Sequence, residues 1–147
     1  MERRRYTAGR IRPPHGPRLI AALAHEHARI PFTLRDVRDS ARRVVYVAER
    51  LQLQATLVRG ALDVGGAELD HVWAVVADRV VDVPLPLRSD AFVEALRAYI
   101  AGDIEPGELE RVADAYALDW RVVGEFPHGV RYYGAPFWIS RAGNRPG

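Results

Sequence analysis

The chain has 147 residues, of which 48% are apolar and 27% charged, so it is long enough for one globular domain with a sizeable hydrophobic core. It contains no cysteine, which excludes disulfides, cysteine metal sites and a thiol nucleophile. The formal net charge is only +2 and all 21 basic residues are arginine, so arginine content by itself does not indicate a nucleic-acid partner.

The N-terminal segment is strongly basic and carries only one acidic residue, Glu2. Its arginines are Arg3, Arg4, Arg5, Arg10, Arg12 and Arg18. Together with prolines at positions 13, 14 and 17, this composition predicts a solvated arm over residues 1–17, followed by a single domain over residues 18–147. Because arginine contacts phosphate, the arm also supports the hypothesis of a nucleic-acid-binding module.

The sequence indicates neither a membrane span nor a secretory signal. No apolar run approaches the roughly 20 residues that cross a bilayer. The N-terminal residues also lack the apolar core of a signal peptide. We therefore expect a cytoplasmic protein that has no membrane partner.

A first helix is predicted from Arg18 to the residue before Pro31. Its apolar stripe consists of Leu19, Ile20 and Leu23. His25 and His27 in this helix are two residues apart and point to different helix faces, whereas a pair of metal ligands needs a spacing of three or four. The sequence therefore predicts no metal site, and it indicates no cofactor.

A second helix is predicted to begin with Thr33 as its N-cap and to end near Leu51. Asp36 can reach back toward Thr33 as in a capping box, and Phe32 and Val37 match a hydrophobic staple. The spacing of the apolar residues predicts one buried face. That face comprises Val37, Ala41, Val44, Val45, Ala48 and Leu51.

A strand at 53–62 and a loop at 63–66 are predicted to precede a hairpin over residues 70–82. The hairpin sequence is DHVWAVVADRVVD, with Ala77-Asp78 as a two-residue loop. This loop pairs Val76 with Arg79 and brings Asp82 opposite Trp73.

His71 and Asp82 are the candidate chemical groups of this hairpin. Because side chains alternate faces along a strand, His71, Trp73 and Asp82 share one face. A carboxylate beside an imidazole can hold one histidine tautomer, as catalytic acid–base pairs require. We therefore expect the two side chains to be hydrogen-bonded; a structural histidine at the start of a strand is the alternative.

Two more helices and an aromatic tail complete the chain. A third helix, capped by Ser89 or Asp90, is predicted to close at Gly102, and a fourth is predicted to begin around Pro106. A short strand is predicted at 119–123. The tail carries Tyr132, Tyr133, Phe137 and Trp138, which we expect to cover the edge of the core rather than bind a ligand.

The order of helix, strand and His–Asp hairpin resembles that of transglutaminase-like domains in the papain-like cysteine protease superfamily. ARRVVYVAERLQLQATLVRG is similar to the family's helix and first strand. His71-Val72-Trp73 resembles its His-Ala-Trp, and Val80-Val81-Asp82-Val83-Pro84 resembles its Asp-containing strand. The resemblance implies an α+β fold, in which a helix packs on a small antiparallel sheet and additional helices follow toward the C-terminus.

The resemblance also implies where a nucleophile would stand. An ungapped match puts the family's cysteine position on Val37, supported by Arg38, Asp39 and Ala41. The nearest hydroxyl is that of Ser40, three residues later. The family's Gly and Pro after the helix are replaced by glutamines.

Three functions are compatible with these residues. The one we favour is a domain that has lost cysteine catalysis and binds a peptide or small amide ligand. The second is an amide or ester hydrolase or acyltransferase that uses Ser40, His71 and Asp82 as nucleophile, base and orienting group. The third is the nucleic-acid-binding module with the arginine arm. No feature of the sequence indicates an oligomeric state.

Overall fold

A computed structural model describes residues 3–27, 37–116 and 129–140. The elements in chain order are β1 (Arg4–Tyr6), α1 (His15–His27), α2 (Val37–Arg50), β2 (Ala55–Val64), β3 (Ala67–Val76), β4 (Arg79–Val81), α3 (Asp90–Ile100), α4 (Pro106–Ala115) and β5 (Val130–Ile139). The fold is α+β, as the sequence predicts.

The five strands form one antiparallel sheet in the order β1-β5-β2-β3-β4. Helices α1 and α2 pack on one face, where their apolar side chains meet Leu57, Ala74 and Val76. Helices α3 and α4 pack on the other face, against a cluster that includes Trp73 and Tyr132. The buried face of α2 contains Ala41, Val44, Val45 and Ala48, which confirms the predicted helical spacing.

The local signals for the β3–β4 turn and for the starts of α3 and α4 are confirmed. Ala77 and Asp78 both have positive φ, as a two-residue hairpin turn requires, and Val76 pairs with Arg79. The side chain of Ser89 accepts a hydrogen bond from the Phe92 N–H and so caps α3. Pro106 occupies the first turn of α4, where its missing N–H does no harm.

Part of the segment predicted as a solvated arm belongs to the fold. Strand β1 pairs with β5, and α1 begins at His15 rather than at Arg18. Tyr6 and Ile11 are each only 7% exposed. The prediction of an arm over residues 1–17 is corrected here, because a segment poor in apolar residues still supplies two core side chains and an edge strand.

The aromatic tail is also different from the prediction. Residues 130–139 form a ten-residue strand that lies between β1 and β2, instead of a turn-rich cover. Gly134 and Pro136 interrupt its apolar alternation, and its pairing partner β2 is far away in the chain, so local pattern does not indicate the strand.

Strand β2 begins and ends two residues later than predicted, at Ala55 and Val64, and only Gly65 and Gly66 remain as its turn. Val37 is half-buried rather than buried, so that part of the staple prediction is wrong. The predicted Thr33 cap, the Phe32 contact and the strand at 119–123 lie outside the described residues. Within the described ranges, no helix has both the length and the apolar character needed to cross a bilayer.

Candidate functional site

The candidate site is built on the β3–β4 hairpin. His71 Nε2 and Asp82 Oδ2 are 2.6 Å apart, which confirms the predicted hydrogen bond across the hairpin. His71 lies in β3, and Asp82 is the first residue after β4. Both side chains are buried, with residue exposures of 5% and 2%. A buried carboxylate is stable only where hydrogen bonds replace the water that it has lost.

Tyr132 supplies a second hydrogen bond to the same carboxylate oxygen. Its Oη donates to Asp82 Oδ2 over 2.8 Å. In the register of the sheet, Leu62 of β2 pairs with both Leu69 and Tyr132. Because Leu69 and His71 are two residues apart on β3, Tyr132 lies on the face of the sheet that carries His71. The sequence predicts Tyr132 only as one of four aromatic residues that cover the edge of the core.

The phenol of Tyr132 is held in its neutral form. Burial raises its pKa well above the ordinary value, and the Asp82 carboxylate and the hydrogen bond to it raise the pKa further. Tyr132 is therefore a permanent donor to Asp82. An ionised carboxylate can only accept a hydrogen bond, so with Asp82 in that form His71 Nε2 is the donor, and Nδ1 is the ring nitrogen that does not contact Asp82.

Two aromatic side chains, Trp73 and Tyr132, pack around the imidazole of His71 and orient it. The ring of His71 stacks on Trp73 with 5.9 Å between centroids and 25° between planes. Tyr132 meets the same indole edge-on at 4.9 Å. A side chain at Gly134 would put its Cβ 2.9 Å from the Trp73 ring and 2.5 Å from the Arg59 carbonyl oxygen. Glycine at this position therefore makes room for the indole that supports His71.

A cleft of about 400 Å³ opens beside His71. It is lined by Val37, Arg38, Arg59, Leu69, Asp70, His71, Val72 and Tyr99. The cleft lies at the edge of β3, because β4 pairs only with residues 74–76 of that strand. The first described turn of α2 approaches this edge from one side and the last turn of α3 from the other.

The structure brings Val37, and not Ser40, to the cleft of His71. Ser40 is 8% exposed and belongs to the side of α2 that faces the sheet. That helix packs on the sheet face of Ala74 and Val76, which is opposite to the face of Trp73 and His71. Among the described residues of α2, Val37 and Arg38 line the cleft with His71, and the side chain of Val37 has no nucleophilic atom.

The charged residues that line the cleft are Arg38, Arg59 and Asp70. No group of three or more His, Asp or Glu side chains within the described ranges could hold a metal ion. Arg59 and Asp70 form an ion pair at 3.4 Å at the rim of the cleft, with both side chains largely exposed. The cleft thus lies beside the buried hydrogen-bond network of His71, Asp82 and Tyr132, and its rim carries an exposed ion pair.

Comparison with known proteins identified no relative of this chain. No family model, no curated protein and no solved structure matches it.

Proposed function

We propose that this chain is a transglutaminase-like domain without cysteine catalysis, and that it binds a peptide or small amide ligand in the cleft beside His71. The observation that carries the proposal is that Val37 and His71 line one cleft. Val37 is the residue that the resemblance aligns with the family's cysteine.

The pattern of hydrogen bonds supports a role for His71 beyond packing. Asp82 and Tyr132 fix the imidazole through Nε2. The orientation of the ring is set by three groups, among them the stacked indole of Trp73. Nδ1 can then accept an amide N–H, and Arg38 and Arg59 at the rim can bind carbonyl or carboxylate oxygens.

Binding fits these residues better than acyl transfer. A covalent mechanism needs a nucleophile that a base activates within hydrogen-bond distance. Val37 cannot serve, and Ser40 is a buried residue of α2 that does not line the cleft. We therefore do not carry the Ser40-His71-Asp82 hydrolase forward as a second proposal.

Installing a thiol tests the geometry. In Val37→Cys, His71 and the first described turn of α2 would stabilise the thiolate, so its pKa should fall below the usual range of cysteine. We expect its alkylation by iodoacetamide at neutral pH to be at least ~10-fold faster than that of the unfolded protein. Adding His71→Gln should remove most of this advantage while the circular dichroism spectrum stays unchanged.

Ser40→Cys is the matched control on the same helix, and we expect its thiol to react slowly. If the thiol of Val37→Cys reacts no faster than that of the unfolded chain, or ignores His71→Gln, the proposed site geometry is wrong. A reactive Ser40→Cys beside an inert Val37→Cys would restore the serine hydrolase hypothesis.

A further inference from the structure

The cleft beside His71 is one end of a longer groove. A second cavity, of about 680 Å³, shares Arg59 and Asp70 with it and extends over the sheet to Phe137. A third cavity, of about 490 Å³, shares Phe137 with the second and reaches Tyr46 and Trp138. Each cavity alone has the size of a small-molecule site. Joined end to end, they suit an extended chain better than a compact ligand.

A β-bulge shapes the far end of this groove. Val58 pairs with Pro136 and Leu57 with Trp138, which leaves Phe137 as an extra residue on β5. In a regular strand, two consecutive side chains would point to opposite faces of the sheet. Here Phe137 and Trp138 both line the cavity beside α2. Bulges that redirect side chains in this way are enriched next to functional sites.

The aromatic residues of the groove remain accessible. Phe137 is 45% exposed, Trp138 42% and Tyr46 59%. Soluble proteins rarely expose neighbouring aromatic side chains, and where they do, the patch often marks a binding surface. The guanidinium of Arg38 lies 5.8 Å from the Phe137 ring centroid and so links the patch directly to the cleft of His71.

The charges of the groove favour an acidic partner. Its arginines are Arg3, Arg38, Arg42 and Arg59, and its carboxylates are Glu49, Glu68 and Asp70. Arg59 and Asp70 neutralise each other as an ion pair. Arg38 and Arg42 lie one helical turn apart on α2, at the same side of the groove. The excess of positive charge is small, so a few carboxylates on the ligand are enough to match it.

Beyond its contact with β1, strand β5 has an unpaired edge within the described residues. Strand β1 pairs with β5 only at residues 132–134. Within the described part of the chain, residues 135–139 of β5 therefore pair with β2 alone. A strand added at this edge would run along β5, whereas a chain that reaches His71 must cross β2 and β3, so side-chain contacts hold most of the bound peptide. Glu49, Glu68 and Asp70 limit how much negative charge the groove accepts, which favours a peptide with a few carboxylates over a nucleic-acid strand that carries a phosphate on every nucleotide.

We propose that the groove from Trp138 to His71 binds an extended acidic peptide with aromatic or aliphatic side chains, whose bound segment ends in the His71 cleft. This inference names the ligand of the proposed function and rests on it for the His71 end. The contacts proposed for the aromatic residues and the arginines depend only on the groove and not on the proposed function of His71.

Nuclear magnetic resonance titration of the full ¹⁵N-labelled chain tests the groove. The probe is the blocked peptide acetyl-Glu-Leu-Glu-Phe-Glu-Leu-amide; its controls are the same peptide with lysine in place of glutamate, and a hexathymidylate. We expect the acidic peptide to shift the backbone amides of Arg59, Phe137 and Trp138, and to bind at least ~10-fold more tightly than the lysine peptide.

Variants distinguish binding in the groove from nonspecific binding to the protein surface. Trp138→Ala and Arg38→Glu should each weaken the acidic peptide at least ~5-fold. The matched controls on α4 and its C-terminal end, Tyr116→Ala and Arg111→Glu, should change its affinity less than ~2-fold. Both control residues are exposed, and neither lines the groove.

Several outcomes would overturn the inference. They are the absence of shifts at about 1 mM peptide, shifts confined to other surfaces, equal binding of the lysine peptide, and preferential binding of the oligonucleotide. The thiol experiment is independent of these outcomes. If the thiol of Val37→Cys is reactive but the peptide does not bind, only the groove fails; if the peptide binds while that thiol stays inert, only the His71 site fails.

Discussion

The two faces of the sheet are stabilised by different chemistry. The face under α1 and α2 is aliphatic, and its buried members are Ile11, Leu19, Leu23, Ala41, Val44, Val45, Val47, Ala48, Leu53, Ala55, Leu57, Ala74, Val76 and Val81. The face under α3 and α4 mixes aliphatic residues with Tyr6, Trp73, Phe92 and Tyr132. It also holds the buried pair of His71 and Asp82.

The polar groups of the second face are costly to bury. Burying a carboxylate with its partners is often no better for folding than well-packed apolar residues of the same volume. Tyr6 Oη and Trp73 Nε1 on this face are also buried, and neither has a hydrogen-bond partner within the described ranges. Chains tolerate such groups mainly where a site needs them. The two faces therefore differ in that only the α3–α4 face buries this polar network.

Deleting residues 1–12 should damage both faces at once. The segment gives Tyr6 to the aromatic face and Ile11 to the aliphatic face, and it contains strand β1. Losing two buried side chains of this size removes roughly 5 kcal/mol of the free energy of unfolding. That corresponds to a melting temperature lower by about 10–20 °C in a chain of this size. Differential scanning calorimetry measures the shift, and an unchanged melting temperature would restore the solvated arm.

Removing the carboxylate should affect only the polar face. Asp82→Ala leaves the His71 Nε2–H and the Tyr132 hydroxyl buried without their acceptor. Breaking a buried pair in this way costs about 3–5 kcal/mol. Urea denaturation measures the loss. Asp114→Ala on the exposed side of α4 is the control, with an expected change within about 0.5 kcal/mol; equal effects of the two variants would mean that the network does not hold the fold.

Removing only the phenol oxygen of Tyr132 measures the contribution of one hydrogen bond within the polar face. Tyr132→Phe keeps the ring against Trp73 but deletes the donor to Asp82. A hydrogen bond to a charged group contributes about 1.5–3 kcal/mol. We expect a loss in that range by urea denaturation, smaller than for Asp82→Ala because His71 still pairs with the carboxylate. A loss as large as that of Asp82→Ala would mean that the His71 bond depends entirely on Tyr132.

The same contrast explains what the sequence could predict. The His71–Asp82 bond was predictable because eleven residues and a two-residue turn determine it, and both the turn and the alternation are local. The spacing that predicts the buried face of α2 is local in the same way. These features rest on patterns that a few adjacent residues carry.

Features that depend on distant pairing were not predictable from local pattern. Tyr132 reaches Asp82 from a strand 50 residues away, and β1 is a strand only because β5 pairs with it. Which of four tail aromatics enters the core depends on the register of β5 with β2 and on its bulge. A one-residue slip would bury Tyr133 in place of Tyr132. The half-buried Val37 similarly reflects a cleft formed by residues from β2, β3 and α3 as well as α2.

The smallest expected effect is a pH dependence that belongs to Tyr132 alone. Its pKa is raised in the folded chain by burial and by Asp82. Below about pH 10, a tyrosine keeps its proton in both the folded and the unfolded chain, so this group adds no pH dependence. Above that pH the unfolded chain releases the proton while the folded chain retains it, and the free energy of unfolding falls as pH rises, by up to about 1.4 kcal/mol per pH unit.

Tyr132→Phe lacks this proton and isolates the effect, since the other tyrosines are common to both chains. The stability advantage of the wild type over Tyr132→Phe should therefore be constant at neutral pH and should shrink between about pH 10 and pH 11.5. Urea denaturation at a series of pH values measures the difference directly. A difference that stays constant through this range would mean that the Tyr132 phenol ionises as easily when folded as when unfolded, and that the polar face is open to water at Asp82.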